Sequence, residues 1–386
     1  MKDNQILSST NNLNYQLCKR GLNMDNHEIK ILIDKYLKLE EQHRNQLLLI
    51  LVANVEGENS EYDDYKNTSV LSEYYTLEEF ETLSTTYKKM GYEVLNYFSE
   101  RDFMRDIIDN QIQINDKKLL VINSAQTGTY IGRKSLIPAF CDYSKIMHTG
   151  SNPYVVSLCR DKFHTNSILN NYFQNSLPTY VYAQNQKWIG GKRPIIGEKV
   201  IAKLNGESAS IGLTESNVFV YSPKSDSYLY QLTNQYRQPV IVQPFIDGYE
   251  IELPIIIGKW KFALLAAGIK MNDSKLLGGK FLDYNTRFNH TYDFYNYDSF
   301  NKILSESIKR DAIKVAEILN IENFGRIDFR IDPKGNYYIS DIATNPHITK
   351  DSSFSYIFNE LGYSYSELLS AMIGVTLSKY LPLNRF

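Results

Sequence analysis

The sequence has few residues of the kinds that build disulfides, zinc sites or redox centres. Its three cysteines, Cys18, Cys141 and Cys159, are odd in number and widely spaced, so they form no disulfide or zinc pattern and suit a reduced compartment. The six histidines include no pair at ligand spacing, which argues against a histidine-rich zinc site. Any chemistry is therefore expected to depend on other residue types.

An excess of charge of either sign is also missing, as are long apolar runs. The chain has 42 Lys and Arg against 44 Asp and Glu, which argues against nucleic-acid binding through bulk positive charge. The longest apolar run, 47–55, is about half a bilayer span, and the polar start has no apolar signal segment. We expect a soluble, cytoplasmic protein with neither a nucleic-acid nor a membrane partner.

Length and tyrosine are what the chain has in quantity. Its 386 residues suffice for two or three domains of roughly 150 residues each. The 30 tyrosines supply large amphipathic contact areas for cores, interfaces and pockets alike. Tyr284, Tyr292, Tyr295 and Tyr297 fall in or beside a polar segment, 271–297, and we expect them to shape a substrate pocket.

The pattern of predicted elements changes near residue 150. Residues 1–45 read as an N-terminal extension with a helix. Residues 46–150 alternate strands with helices, which indicates a parallel α/β domain; its apolar run 47–55 predicts a buried strand, and Thr76 with Glu79 predicts a capping box at the start of a helix. The remainder is of α+β type, with a helix over 157–172, strands around a Gly/Ser-rich loop, an apparent hairpin at Asp247-Gly248 and a long helix over 298–319 with apolar residues at helical spacing. We expect further domains over 151–240 and 241–386.

A second apparent hairpin, around Lys334-Gly335, carries two aspartates. A turn centred there places Asp328 directly opposite Asp341, with Tyr338 on the other, apolar face. Directly opposed side chains have Cβ atoms about 4.5–5.5 Å apart, so these carboxylates need a cation, a shared proton or open solvent. Oxygen ligands of this kind suit Mg²⁺. A solvated acidic surface is the alternative, and a longer turn would separate the two groups.

The loop from Lys203 to Gly212 is rich in glycine and serine. Small residues let backbone amides approach phosphate oxygens, and Lys203 at the end of a strand would add positive charge. The loop matches neither the Walker spacing nor a nucleophile elbow. An ordinary turn between strands is the alternative interpretation.

Taken in order, these motifs resemble the ATP-grasp superfamily, specifically its D-alanine–D-alanine ligase-like branch. The most specific parts are Gly325-Arg-Ile-Asp328 with Asp341-Ile-Ala-Thr-Asn-Pro-His-Ile-Thr349, supported by Asp161-Lys162, the Lys203–Gly212 loop and Gln243-Pro-Phe-Ile-Asp-Gly-Tyr-Glu250. The resemblance is best from about Gly150 to Leu369. It implies an ATP-grasp fold, α/β plus α+β, in which 46–150 is the parallel pre-ATP-grasp domain, 151–240 the nucleotide lid and 241–386 the core with the metal and substrate site.

The resemblance also implies ATP and Mg²⁺, with Mn²⁺ as a substitute, and assigns roles by position. It implies ATP contacts for Lys162, Lys203, Ser210, Gln243, Pro244, Phe245, Ile246 and Glu250. It implies metal contacts for Asp328, Asp341 and Asn345, and substrate contacts for Ser352 and Arg287. It implies catalytic roles for Arg326, Lys203 and Ser210, with Arg326 stabilising an oxyanion.

Several positions depart from the family pattern. The metal-binding asparagine falls on Ala343, with Asn345 two residues on as a substitute, and Asp341 stands in place of a glutamate. Ala209 replaces a loop serine, Phe288 replaces a lid tyrosine, and the N-terminal glutamate motif is not recognisable. Because polar substrate contacts determine selectivity, we expect a substrate other than a D-alanine pair.

Three hypotheses for the function follow. The first is an ATP-dependent, ADP-producing carboxylate–amine ligase that works through an acyl phosphate on an amino acid, a peptide or a carrier-bound acyl group. The second is a D-alanine–D-alanine ligase with unusual substitutions. The third is a catalytically weakened ATP-binding scaffold or regulator. A carrier-protein partner and a homodimer are both left open.

Overall fold

The structure is a computed structural model that describes residues 24–58, 64–65, 68–113 and 116–381. Residues 1–23 of the predicted N-terminal extension, with Cys18, lie outside the described residues. Within the described ranges, no helix is long and apolar enough to cross a membrane.

The first part of the chain forms the predicted parallel α/β unit. Its sheet has the order β2-β1-β3-β4, with all neighbours parallel, and every residue of β1 is buried. The helix after β1 begins with the predicted capping box, in which Thr76 and Glu79 exchange hydrogen bonds. The elements are α1 Asn26–His43, β1 Leu47–Ala53, α2 Leu77–Lys89, β2 Glu93–Tyr97, α3 Glu100–Ile108, β3 Lys118–Ser124, α4 Leu136–Ser144 and β4 Met147–His148.

A five-stranded antiparallel sheet follows, in the order β6-β5-β9-β7-β8. The predicted helix over 157–172 is two helices, because Asp161 ends the first and caps the second through His164 N. Strand β5 and the helix before β9 were not predicted. The elements are α5 Pro153–Arg160, α6 Lys162–Leu169, β5 Tyr180–Ala183, β6 Lys187–Trp188, β7 Lys199–Leu204, β8 Val218–Val220, α7 Asp226–Tyr236 and β9 Val240–Pro244.

The last part of the chain forms a six-stranded antiparallel sheet in the order β13-β12-β10-β14-β15, with β11 pairing β10. Its long helix packs Ile308, Ala312 and Val315 into the core, as the spacing predicts. The elements are β10 Tyr249–Ile257, β11 Lys261–Ala263, β12 Ala267–Lys270, α8 Tyr284–Phe288, β13 Asp293–Asn296, α9 Tyr297–Phe300, α10 Lys302–Ile318, β14 Asn323–Ile331, β15 Tyr337–Ala343, α11 Ser353–Glu360 and α12 Tyr365–Tyr380.

The predicted hairpin at Asp247-Gly248 is wrong, because β9 and β10 belong to different sheets. Gly248 has φ +154°, and a Cβ there would lie 1.9 Å from the Ile331 carbonyl oxygen. Glycine is therefore needed where the chain crosses from one sheet to the other against the end of β14. The predicted domain limit at 240/241 falls within β9, before this connection, and the domain limits stay a prediction.

Candidate active site

A cavity between the two antiparallel sheets brings most of the predicted residues together. Lys203 and Gln243 line it from the five-stranded sheet, and Glu250, Asp328 and Asp341 line it from the six-stranded sheet. The same cavity wall includes Lys162, Ser210, Pro244, Phe245, Ile246, Arg287, Arg326 and Asn345. Of the predicted site residues, Ser352 alone is not among the lining residues that the structure describes.

The carboxylate hairpin has the predicted pairing at its functional end. Asp328 lies directly opposite Asp341, and Arg326 lies opposite Ala343. Nearer the turn the pairing shifts by one residue, because Ser340 forms a bulge between Asp341 and Ile339. The shift pairs Tyr338 with Arg330, so the prediction that Tyr338 shares the apolar face is wrong. Ile339 lies on that face instead, opposite Phe329.

Glu252 is a third carboxylate in this row and was not predicted. Strand β10 lies on the other side of β14 from β15, and its Glu252 is directly opposite Asp328. Glu252 is 4% exposed and Asp328 is 8% exposed. Burial beside two like charges raises the pKa of Asp328 to about 7, despite the attraction of Arg326.

Two cations hold the row of carboxylates in place. Arg326 binds Asp328 with Nε and Nη2 at 2.7 and 2.8 Å, and its Nη1 lies 2.8 Å from Glu252. Lys162 Nζ donates to Asp341 at 2.9 Å. Burial alone would raise the pKa of Asp341, but Lys162 and Lys203 outweigh it and lower that pKa. The two opposed aspartates thus differ in protonation behaviour.

Lys203 lies on the neighbouring sheet and reaches the bulge. Its Nζ donates to the Ser340 carbonyl oxygen at 3.3 Å, and burial lowers its pKa. Lys162 and Lys203 therefore approach Asp341 from separate elements, α6 and β7. This arrangement places two ammonium groups beside the paired carboxylates, where the charge of a polyphosphate could be neutralised.

The chain where β9 leads into β10 forms the opposite wall of the cavity. Gln243 Nε2 donates to Thr179 Oγ1 at 2.8 Å, while its Oε1 has no hydrogen-bond partner among the described residues. Arg330, which was not predicted, pairs with Glu250 at 2.7 Å and donates to the Ile246 carbonyl oxygen. The Arg330 guanidinium also lies 5.1 Å from the centre of the Phe245 ring. Arg330 thus fixes three of the predicted ATP-binding positions.

The glycine–serine loop is tied to its surroundings on both sides. Ala209 and Ser210 have positive φ values of 50° and 57°, and Ser210 Oγ donates to the Leu282 carbonyl oxygen at 2.6 Å. Gly212 N donates to Thr68 Oγ1 at 3.1 Å, and Ser208 Oγ donates to Glu73. The loop therefore lies between the 271–297 segment and the α/β unit, facing the cavity.

Two predicted residues have contacts that direct them away from the carboxylates. Ser352 Oγ caps helix α11 by accepting from Ser355 N, and it donates to the Thr349 carbonyl oxygen. Asn345 Nδ2 donates to the Asn123 carbonyl oxygen at 2.9 Å. Asn345 would share a strand face with Ala343, two residues before it, only if the strand continued. Strand β15 ends at Ala343, so this alternation of faces does not reach Asn345.

The tyrosines of the 271–297 region do not form the pocket, contrary to expectation. Tyr295 and Tyr297 are buried in the core under the six-stranded sheet, and Tyr292 packs against a smaller cluster. Tyr284 stacks on Phe288 at 5.7 Å, and its hydroxyl accepts from Ser69 N. None of these four tyrosines lines the cavity.

The cysteines do not contribute reactive thiols to the site. Cys141 and Cys159 are both buried and free, and burial raises the pKa of each thiol to about 12. Both are therefore protonated at neutral pH, although Cys159 contacts the cavity.

The donor set fits a divalent cation only in part. No described residues form a group of three or more His, Cys, Asp or Glu that could hold a metal ion by themselves. Asp328 and Asp341 offer two carboxylates, and Mg²⁺ commonly takes one or two carboxylates together with substrate phosphates. The residues present therefore fit a metal that shares its ligands with a bound nucleotide.

Comparison with known proteins identifies the same region. Residues 196–374 match the family model described as the D-ala D-ala ligase C-terminus. A D-alanine–D-alanine ligase B from Clostridium perfringens is 25% identical over 292 residues, which cover 75% of this chain and 92% of that protein. The corresponding ligase B from Clostridium tetani is 23% identical and covers 72% of this chain and 77% of its own length.

Solved structures agree with this fold. The D-alanine–D-alanine ligase from Bacillus anthracis complexed with ATP superposes with a TM-score of 0.62 at 17% identity, covering 86% of this chain and 97% of that one. The VanG D-Ala:D-Ser ligase from Enterococcus faecalis has the same TM-score at 14% identity, covering 86% and 99%.

The two antiparallel sheets with a cavity between them, preceded by a parallel α/β unit, form an ATP-grasp fold, and the predicted fold class is confirmed. Residues 196–374 match the D-ala D-ala ligase C-terminal family, and the resemblance that the motifs predict is confirmed. The expected enzyme class, an ATP-dependent carboxylate–amine ligase, is confirmed with it.

Proposed function

We propose that the protein forms an amide bond between a carboxylate and an amine, using ATP and Mg²⁺ and passing through an acyl phosphate. The observation that carries the proposal is the direct opposition of Asp328 and Asp341, with Lys162 and Lys203 converging on the same point. In the first step a substrate carboxylate oxygen attacks the γ-phosphorus of ATP, and ADP leaves. In the second step the amine attacks the acyl carbon, phosphate leaves, and the amine loses a proton.

Each proposed residue has a role that its position supports. Bound Mg²⁺ would polarise the transferred phosphoryl group, held by Asp328, Asp341 and the phosphates themselves. Lys162 and Lys203 would neutralise phosphate charge, and Arg326 would stabilise the oxyanion that forms when the amine adds.

The remaining wall would bind the rest of the nucleotide. The segment from Gln243 to Ile246 would border adenine, and Glu250, held by Arg330, would accept from the ribose. Ser210 would approach the γ-phosphate from the loop. Held over the cavity by Leu282 and Thr68, this loop would exclude water, which otherwise hydrolyses an acyl phosphate.

The identity of the substrate is the point on which two candidates differ. The names of the relatives favour D-alanine, and Arg287 in the cavity wall would then bind its carboxylate. Against this, Ala209 and Ala343 carry no polar side-chain atom, and Ser352 is committed to capping α11. We therefore favour another amino acid, a peptide or a carrier-bound acyl group as substrate.

An ADP-release screen tests the proposal directly. Amino acids of both configurations would be supplied singly and in pairs with ATP and Mg²⁺, and the products would be identified by mass spectrometry. ADP release that requires both a carboxylate and an amine, with an amide product, is the expected result. Nucleotide binding without turnover on any pair would favour a scaffold instead, and turnover confined to D-alanine would favour the second candidate.

A further inference from the structure

The end of the cavity nearest the α/β unit contains a buried cluster of charges. Arg133 Nη2 lies 2.9 Å from Glu73 and 2.7 Å from Glu207, and Arg160 Nη2 lies 2.9 and 3.3 Å from the same two carboxylates. All four residues are 7% exposed or less. The two guanidinium groups therefore balance the charge of the two carboxylates, and a third cation nearby would leave the cluster with a net positive charge.

Lys134 is that third cation. It lines the cavity beside Glu73 and Arg160. Among the residues that the structure describes, no carboxylate oxygen lies within 4.0 Å of its Nζ, and no hydrogen bond reaches it. Burial lowers the pKa of Lys134 to about 7, an effect that Glu73 opposes and the two arginines strengthen. An anion bound at this ammonium would offset the burial cost.

Arg160 supplies a second unsatisfied donor at the same wall. Its Nη1 donates to Ser208 and its Nη2 contacts the carboxylates, but its buried Nε has no partner among the described residues. A buried charged donor without a partner is costly, since protein interiors satisfy such groups almost always. The Nε of Arg160 and the Nζ of Lys134 thus both lack the acceptor that a ligand would bring.

The neighbouring groups do not supply the missing negative charge. His347 lines the same end of the cavity and stacks on Tyr75, and burial lowers its pKa to about 3, so it is neutral at pH 7. Arg287 is a further cation here, and its nearest carboxylate, Glu252, is 4.0 Å away. The wall therefore has an excess of positive charge facing the cavity.

This excess goes beyond what a pair of neutral amino acids needs. In the proposed reaction, Lys162, Lys203 and Mg²⁺ neutralise the phosphates and the reacting carboxylate. Arg287 is available for the α-carboxylate of the amine acceptor. Lys134 and Arg160 then remain for an anionic group that neither reacts nor belongs to an acceptor backbone.

We propose that Lys134 and the Nε of Arg160 form a subsite for a non-reacting carboxylate on the side chain of one substrate. The inference rests on the proposed ligase function and narrows it. The preferred substrate is an acidic amino acid or another dicarboxylate, and it serves as donor or acceptor. Alanine, which has no side-chain carboxylate, leaves the subsite unfilled.

Matched acid and amide substrates test the subsite, because they differ mainly in charge. Aspartate is compared with asparagine and glutamate with glutamine, in both configurations and in both roles, by ADP release. A charge-assisted hydrogen bond discriminates by about ten- to a hundredfold, so kcat/KM for the acid is expected to exceed that for the amide by this factor. Lys134→Met should abolish the preference through KM and leave the amide's kinetics unchanged. Lys134→Arg should restore part of it, and Lys118→Met, at an exposed lysine of the same unit, should change nothing.

Several results would overturn the subsite. Equal kcat/KM values for acids and amides in the wild type exclude the subsite. A loss of turnover in Lys134→Met that is the same for acid and amide substrates excludes it as well. Turnover with neutral amino acids alone supports the ligase function while refuting the subsite. If no pair gives ADP, the affinity for each acid and its amide is measured by calorimetric titration in the presence of a non-hydrolysable ATP analogue. Acids that bind no more tightly than their amides refute the subsite.

Discussion

Replacement of Asp328 by asparagine should abolish activity and at the same time leave the apo protein as stable as the wild type or more so. Asp328 lies between Asp341 and Glu252 in the row of carboxylates, and its pKa is raised from 3.8 to about 7. Because the folded state then holds the proton more tightly than the unfolded state, the free energy of unfolding falls as pH rises from about 4 to 7. Asparagine has no charge to lose and avoids this cost.

The size of the effect follows from the shift. At about 1.4 kcal/mol per pKa unit, the buried charge costs up to about 4 kcal/mol of stability above pH 7. The variant does not leave Arg326 without an anion, since its Nη1 stays 2.8 Å from Glu252. We therefore expect Asp328→Asn to raise the free energy of unfolding at pH 8 by as much as about 4 kcal/mol, and to change it little at pH 4.

Function should move in the opposite direction. Loss of one metal ligand is expected to reduce ADP release at least a hundredfold, the scale of effect seen when a preorganised electrostatic contact is removed. Urea unfolding with a chelator present measures the stability, and a coupled ADP assay measures turnover. Titration with an ATP analogue with and without Mg²⁺ provides a binding readout that needs no known substrate.

Asp332→Asn is the matched control on the same hairpin. Asp332 accepts hydrogen bonds from Asn336 and from Lys334 N at the turn, which outweigh its slight burial and lower its pKa. That variant should lose stability at neutral pH and keep its activity. Unchanged ADP release in Asp328→Asn would refute the metal assignment, and a loss of stability equal to the control's would refute the electrostatic argument.

Three further substitutions give separate tests. Lys203→Met should weaken binding of an ATP analogue at least tenfold, by loss of a charge-assisted contact, and unaltered calorimetric affinity would contradict this. Glu73→Gln should lower the free energy of unfolding by about 3–5 kcal/mol in urea, because Arg133 and Arg160 lose a buried counter-ion, and a change below about 1 kcal/mol would count against it. His347→Asn should make the free energy of unfolding depend less on pH below about 6.5. The pKa of His347 is lowered to about 3, so the wild type loses up to about 1.4 kcal/mol per pH unit between pH 6.5 and 3, and identical profiles would exclude this.

Local sequence patterns were sufficient for much of the fold. The capping box at Thr76, the apolar run of β1 and the spacing of α10 each report on residues close together in the chain, and all three predictions are confirmed. The pairing of Asp328 with Asp341 was predicted from a single short turn. The strands beside that turn pair one residue away from the predicted register, and the bulge at Ser340 restores the predicted pairing at Asp328.

Long-range pairing could not be derived in the same way. Glu252 lies beside Asp328 because β10 pairs with β14, and nothing near Glu252 in the sequence specifies that partner. The same pairing joins Glu250 to Arg330. At Gly248 the dipeptide signal for a tight turn was misleading, since the glycine is needed for a close approach of two backbones and not for a hairpin.

The anchoring of the Glu207–Gly212 loop affects what a shortened chain would retain. Glu207 pairs with Arg133, Ser208 donates to Glu73 and Gly212 N donates to Thr68, and all three partners precede residue 150. Cutting the chain at 150 would keep both antiparallel sheets and remove every one of these partners. The α/β unit is thus an internal scaffold for the loop, and a fragment without it would hold Ser208 and Ser210 only through Arg160 and the Leu282 carbonyl oxygen.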